Sequence, residues 1–259
     1  MADFLDTLAQ SAKVTIRSGY YESLTEAAAS HVSLKKAIQE AKNAPVITEI
    51  KAASPSAGTI RENVEAHGIA ESMEKGGAVG ISVLTEPNHF KGSLDSLIKA
   101  RQAVKLPILM KDIILNPIQL EAASRSGANV ALLIVALFDR GYCESNLNDM
   151  IANAHSKGLE VLLETHSAEE FRFAVSTHTD LVGINNRDLA TLKVDLGTTK
   201  RILERNSAEG KIVVSESGVS TLADIRFLRG CGAHAFLIGS AVMLASNAEE
   251  KVKEFVSAL

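Results

Sequence analysis

Five side chains stand out for where they sit. Lys51, Lys111, Glu164, Asn185 and Glu216 each end a short, otherwise apolar run. Ionised groups are costly in a low-dielectric interior unless they are paired, so core packing does not explain two lysines, two carboxylates and an amide at equivalent places. Glu49 lies two residues before Lys51, so both would face the same side of a strand, where they could pair. Lys51 also leads into Ala52-Ala53-Ser54-Pro55-Ser56-Ala57-Gly58, a loop of small residues. A lysine beside such a loop suits the handling of an anion. A strand-end lysine such as Lys111 has a second use, attack on a carbonyl to form a Schiff base.

The elements that must position these groups recur along the chain. Short apolar strands are expected at Val46–Lys51, Gly80–Thr85, Ile108–Lys111, Val130–Val135, Glu160–Glu164, Leu181–Asn185, Ile212–Glu216 and Ala235–Gly239. Successive ends are 21 to 34 residues apart, enough for one helix and two loops. Helical periodicity fills the gaps, from Gly68–Lys75 to Ala248–Ala258. Eight such units predict an α/β fold of one domain, residues 1–259: a (β/α)8 TIM barrel over 46–259 preceded by a helical extension over 1–45. The alternative, an open doubly wound sheet, is disfavoured because no GxGxxG fingerprint follows the first strand. Active sites of such barrels form at the carboxyl ends of the strands, where the five polar residues fall.

Two loops are suited to phosphate. Ser215-Glu216-Ser217-Gly218-Val219 follows the seventh strand; Leu237-Ile238-Gly239-Ser240-Ala241 follows the eighth and starts a short helix, Ser240–Leu244. Small residues let backbone N–H groups approach phosphate oxygens, and a helix end adds partial positive charge.

Composition excludes several classes. A net charge of −4 over 259 residues argues against nucleic-acid binding. Cys143 and Cys231 have no CxxC spacing, and the seven histidines form no HExxH, so neither a disulfide framework nor a metal site is expected. The start of the chain lacks a secretory signal and no apolar run is long enough to span a membrane, so cytoplasm is the expected setting. The sequence leaves the oligomeric state open, with a monomer the working expectation.

The segments Glu49-Ile50-Lys51-Ala52-Ala53-Ser54-Pro55-Ser56-Ala57-Gly58, Leu109-Met110-Lys111-Asp112, Gly183-Ile184-Asn185-Asn186-Arg187-Asp188-Leu189 and Ser215-Glu216-Ser217-Gly218 resemble those of indole-3-glycerol phosphate synthase. The resemblance is collinear over about four fifths of the chain, and looser in the helical leader. It implies ring closure of 1-(2-carboxyphenylamino)-1-deoxyribulose 5-phosphate with loss of carbon dioxide and water, and no cofactor. It implies Lys111 as general acid and Glu164 as general base, with Lys51 binding the substrate carboxylate or acting as second proton donor. Glu49 and Glu216 would position the lysines and the sugar hydroxyls, Asn185 would hydrogen-bond a developing hydroxyl or carboxylate, and Arg187 would brace the site. Ser54, Ser217, Gly218, Gly239 and Ser240 would hold the phosphate; Phe90, Leu132, Leu189 and Leu237 would form a slot for the aryl ring. One departure is Ile113, where the family often has Phe, so stacking on the substrate ring is expected to be weaker.

Other readings make different predictions. Phosphoribosylanthranilate isomerase and histidine-pathway isomerases tend to carry Cys or Asp where Lys51 stands. A Schiff-base aldolase would form a covalent adduct on Lys111. A non-catalytic phosphate-ligand sensor would bind the phosphosugar and release no product.

Overall fold

The computed structural model describes residues 3–22, 26–27, 31–54, 58–60 and 64–259, with only the backbone at Ser54. Its centre is a closed barrel of eight parallel strands: β1 (Val46–Ile50), β2 (Gly80–Leu84), β3 (Ile108–Lys111), β4 (Val130–Ile134), β5 (Glu160–Thr165), β6 (Leu181–Asn185), β7 (Ile212–Glu216) and β8 (Ala235–Ile238). β1 closes the ring by pairing with β2 on one side and β8 on the other. The barrel and its eight strands match the expectation from sequence, with ends displaced by at most one residue. A parallel pair needs a long crossover, which a helix supplies after each of the first seven strands, and helices also follow β8. The last of these, Ala248–Val256, packs against Ala66–Lys75. One short helix, Val135–Asp139, begins where the fourth strand was expected to end.

Side-chain alternation explains how the strands serve two cores. Val46, Ile50, Ile108, Met110, Leu133, Leu163, Val182, Val213 and Phe236 point outward and pack under the helices. Ile47, Leu109, Leu132, Leu162, Leu181, Val214 and Leu237 point inward and fill the barrel. Two residues further along four of these inward rows come polar side chains: Glu49 after Ile47, Lys111 after Leu109, Glu164 after Leu162 and Glu216 after Val214. Asn185 lies four beyond Leu181 on the same row. The periodicity that builds the apolar floor therefore sets a polar layer on top of it.

Two leader helices close the barrel's ends. The helix Phe4–Arg17 has a capping box made by Asp3 and Asp6 and buries Leu5, Leu8, Ala9 and Ala12. These residues join the inward-facing core. Arg140 ties the start of this helix to the loop after β4, with Nη1 2.8 Å from Asp3 Oδ1 and 2.7 Å from Asp6 Oδ1. The Tyr142 hydroxyl donates to Asp6 Oδ1 at 3.0 Å. The second helix, Leu34–Glu40, sits at the amino ends of the strands. There Glu160, the first residue of β5, accepts hydrogen bonds from the backbone N–H groups of Leu34 (2.8 Å) and Lys35 (3.2 Å). The leader was expected to be helical throughout, but Glu26 and Ala27 lie outside any helix. Leu24 and Ala28, whose spacing with Ala27 suits a helix, lie outside the described residues.

Candidate active site

The polar layer lines a cavity of about 360 Å3 at the carboxyl ends of the strands. Lys111 lies at its centre. Its Nζ is 2.8 Å from Glu216 Oε2 and 3.1 Å from Glu164 Oε2. Asn185 Nδ2 donates to the other oxygen of Glu164 at 2.8 Å. Lys51 Nζ is 2.8 Å from Glu49 Oε1, the same-face pair expected from their spacing. Ser82 supports Glu49 with a hydroxyl 3.4 Å from Oε2.

Three carboxylates and two ammoniums thus share a largely enclosed space. Burial alone lowers the pKa of Lys111, but the charges of Glu216, Glu164 and Glu49 outweigh it and hold the ammonium above the ordinary lysine range. Burial raises Glu49, yet Lys51 and Lys111 bring it below the usual carboxylate range. Burial pushes Glu216 up to about 7, opposed by Lys111 and reinforced by repulsion from Glu164. One oxygen of Glu216, Oε1, is buried without a hydrogen-bond partner. Two glycines make room for these groups. A Cβ on Gly183 would stand 2.1 Å from Glu216 Oε1, and one on Gly239 would stand 2.6 Å from Glu49 Oε1 and 2.9 Å from Lys51 Nζ.

Around this polar layer, Leu132 and Leu237 form the floor, with Phe90 and Leu189 at the sides. Glu86 fixes the Phe90 turn: its carboxylate accepts from the N–H groups of Asn88, His89 and Phe90 at 3.1, 2.7 and 3.0 Å. Arg187 projects from the loop after β6; its N–H donates to Asn185 Oδ1 at 2.9 Å and its Nη1 to the Leu192 carbonyl at 3.1 Å. After β7 the chain turns through Ser217 and Gly218, both at positive φ (66° and 88°). After β8, Gly239 leads into the helix Ser240–Met243, which has no side-chain cap. Every residue singled out from sequence lines this one cavity except Ser54, whose side chain lies outside the described part of the structure.

Several lining residues were not anticipated. Phe4 and Leu8 reach in from the leader helix, and Glu86, Asp112, Leu192 and Leu244 also line the cavity. Ile113, noted as a departure, is part of the wall. Asp112 is buried, taking a hydrogen bond from Thr85 at 2.5 Å, from the Tyr21 hydroxyl at 3.1 Å and from the Ile113 N–H at 2.7 Å. Burial pushes its carboxyl up to about 6 despite those donors. The helical spacing of Phe4, Leu5, Leu8 and Ala12 in the sequence says that a helix face is covered and not by what.

Known proteins place this geometry in a family. Residues 6–255 match the family model described as indole-3-glycerol phosphate synthase. The chain is 44% identical over 227 residues to the indole-3-glycerol phosphate synthase of Methanocaldococcus jannaschii, covering 86% of this chain and 82% of that protein. It is 38% identical over 224 residues to the enzyme of that name from Desulforamulus reducens, covering 86% and 83%. Among solved structures, N-acetylmannosamine-6-phosphate 2-epimerase from Clostridium perfringens superposes with a TM-score of 0.62 at 15% identity, covering 91% of this chain and all of that one. A 3-hexulose-6-phosphate synthase has the same TM-score at 16% identity, covering 83% and 99%. Those two likenesses speak to the barrel alone. The family match and the relatives together establish that the chain belongs to the indole-3-glycerol phosphate synthase family.

Proposed function

We propose that this protein closes the indole ring of 1-(2-carboxyphenylamino)-1-deoxyribulose 5-phosphate, losing carbon dioxide and water to give indole-3-glycerol phosphate in tryptophan biosynthesis. The observation that carries the reading is Lys111 Nζ held against both Glu164 and Glu216 at the head of an apolar cavity. An acid and a base stand side by side where a carbonyl must be protonated and a proton later removed. Lys111 gives its proton to the ketone oxygen as the ring carbon bearing the carboxylate attacks. Carbon dioxide then leaves, and its bonding electrons restore the aromatic ring. In the dehydration Glu164 takes the proton from the carbon beside the ring nitrogen as the new hydroxyl departs as water. Lys51, held by its own partner Glu49, is the second cation, placed for the leaving hydroxyl or the substrate carboxylate. General acid–base steps of this kind contribute about 10²–10⁴-fold each.

Asn185 keeps Glu164 oriented, and Glu216 anchors Lys111. The aryl ring lies between Phe90, Leu132, Leu189 and Leu237, with Ile113 as an aliphatic wall. The phosphate sits where the Ser217–Gly218 turn and the Gly239–Ser240 turn converge, with Ser54 as a further ligand, and Arg187 braces the site from the loop after β6. The protein is proposed to act as a monomer. We place the reaction in the cytoplasm: the two cysteines are free thiols, and no helix among the described residues is long and apolar enough to cross a membrane.

A Schiff-base role for Lys111 needs a neutral amine, and its three carboxylate neighbours favour the ammonium. Borohydride added during turnover is expected to leave no adduct on Lys111. The direct test is indole fluorescence from purified protein given the carboxyphenylamino sugar phosphate. Product formation is expected; binding without product would favour the sensor reading.

A further inference from the structure

The proposed reaction has a proton balance that the main cavity does not meet by itself. The substrate carboxylate is ionised at neutral pH, and the products are carbon dioxide, water and a neutral indole ring. One proton is therefore consumed per turnover. Two protons are donated, to the ketone oxygen and to the leaving hydroxyl, and Glu164 recovers one. Glu164 can pass that proton to Lys111, 3.1 Å away. The other must come from solvent, while bound substrate stands between the Lys111–Glu164 pair and the mouth.

Behind Glu164 lies a second, smaller cavity of about 90 Å3 that shares Glu164, Ile134 and Leu189 with the first. Its other walls include Arg140, His166, Glu170 and Asp188. It is polar on one side and has room for several waters, each needing on the order of 10–15 Å3. The His166 side chain is 37% exposed, so its ring lies between this space and the outside. Its Nδ1 is 2.8 Å from the Asn185 carbonyl oxygen. A carbonyl only accepts, so Nδ1 carries the hydrogen and Nε2 is the nitrogen that gains and loses a proton. That Nε2 is 3.9 Å from Asp188 Oδ2. Glu170 holds the His166 backbone, accepting its N–H at 2.7 Å. The charged groups facing the ring side of this cavity are thus Glu164, Glu170 and Asp188, with Arg140 opposing them.

We propose that His166 is a proton-relay residue: Nε2 takes a proton from solvent and returns it through water in the side cavity to Glu164 and Lys111 once per turnover. The relay rests on the synthase reading. It moves one proton and changes no other bond.

The test compares His166→Asn with wild type. The Asn amide can keep the donor to the Asn185 carbonyl but has no exchanging nitrogen at the Nε2 position. Turnover of His166→Asn is expected to fall about 10-fold with KM nearly unchanged, and to recover as imidazole or another small buffer is raised to tens of millimolar. His166→Gln, which checks against misfolding, is expected to show the same loss and the same rescue. Rates equal to wild type at every pH and buffer concentration would overturn the relay. So would a loss that no buffer restores, because that is the signature of a residue that only positions Asn185. Wild-type protein that forms no indole product would overturn the synthase reading, and the relay with it, whereas the outcomes above overturn the relay alone.

Discussion

At the scale of single residues, the site is a set of charges that tolerate burial because each has an opposite partner. Lys111 bridges Glu164 and Glu216, and Lys51 pairs with Glu49. Asp112 is the contrast, a buried carboxyl held by hydroxyl and N–H donors, with no cation paired to it among the described residues. Its pKa rises in the fold from 3.8 to about 6. A raised pKa favours the folded state fully below the unfolded value, and the benefit is lost as pH climbs through the folded one. Relative to Asp112→Asn, wild-type protein should therefore lose about 2 kcal/mol of stability between pH 4 and pH 7. Urea unfolding across that range checks this, and parallel curves would count against it. Gly183→Ala places a methyl 2.1 Å from Glu216 Oε1, inside contact distance. We expect a loss of about 1–3 kcal/mol from overpacking, and a fall in turnover of at least about 10-fold as Glu216 shifts off Lys111. Charged residues at strand ends were legible in the sequence because apolar strands give them no packing reason to be there. The roles of Asp112 and Glu86 were not legible, since a carboxylate beside a turn reads as solvated until its donors are known.

At the scale of elements, the strand ends could be read to within a residue because a buried parallel strand is an unbroken apolar run with a sharp limit. The helix Val135–Asp139 was hidden, as its first residue continues the apolar run of β4. The leader was harder to read. Its first helix was evident from Phe4, Leu5, Leu8 and Ala12, yet nothing local said that Phe4 and Leu8 would line the cavity. Arg140, far along the chain, holds that helix through Asp3 and Asp6. Removing it with Arg140→Ala should cost little stability, about 1 kcal/mol, because the pairs are partly exposed. It should instead loosen the helix over the mouth, raising KM a few-fold with kcat nearly unchanged. Steady-state kinetics and amide exchange in residues 4–17 would show this; unchanged KM and protection would mean the helix is held by its apolar face alone.

At the scale of the whole molecule, the two ends of the barrel divide the work. The carboxyl end carries the polar layer, and the amino end is closed by the helix Leu34–Glu40, capped by Glu160. This division was legible from the eightfold recurrence, since the charged and amide strand ends gathered at the carboxyl end, with Glu160 the exception at the amino end. It predicts that Glu160→Ala lowers stability by about 1–3 kcal/mol, the cost of losing a charged acceptor for partly buried N–H groups, while kcat/KM stays within about twofold of wild type. A large loss of activity in that variant, with the fold intact, would show the two ends to be coupled.

In the proposed reaction Lys111 is the acid beside Glu164. The most direct test is the turnover of Lys111→Ala on the carboxyphenylamino sugar phosphate, read by indole fluorescence. A fall of about 10²–10⁴-fold, with the protein folded and still binding substrate, is the predicted result. A rate close to wild type would contradict it.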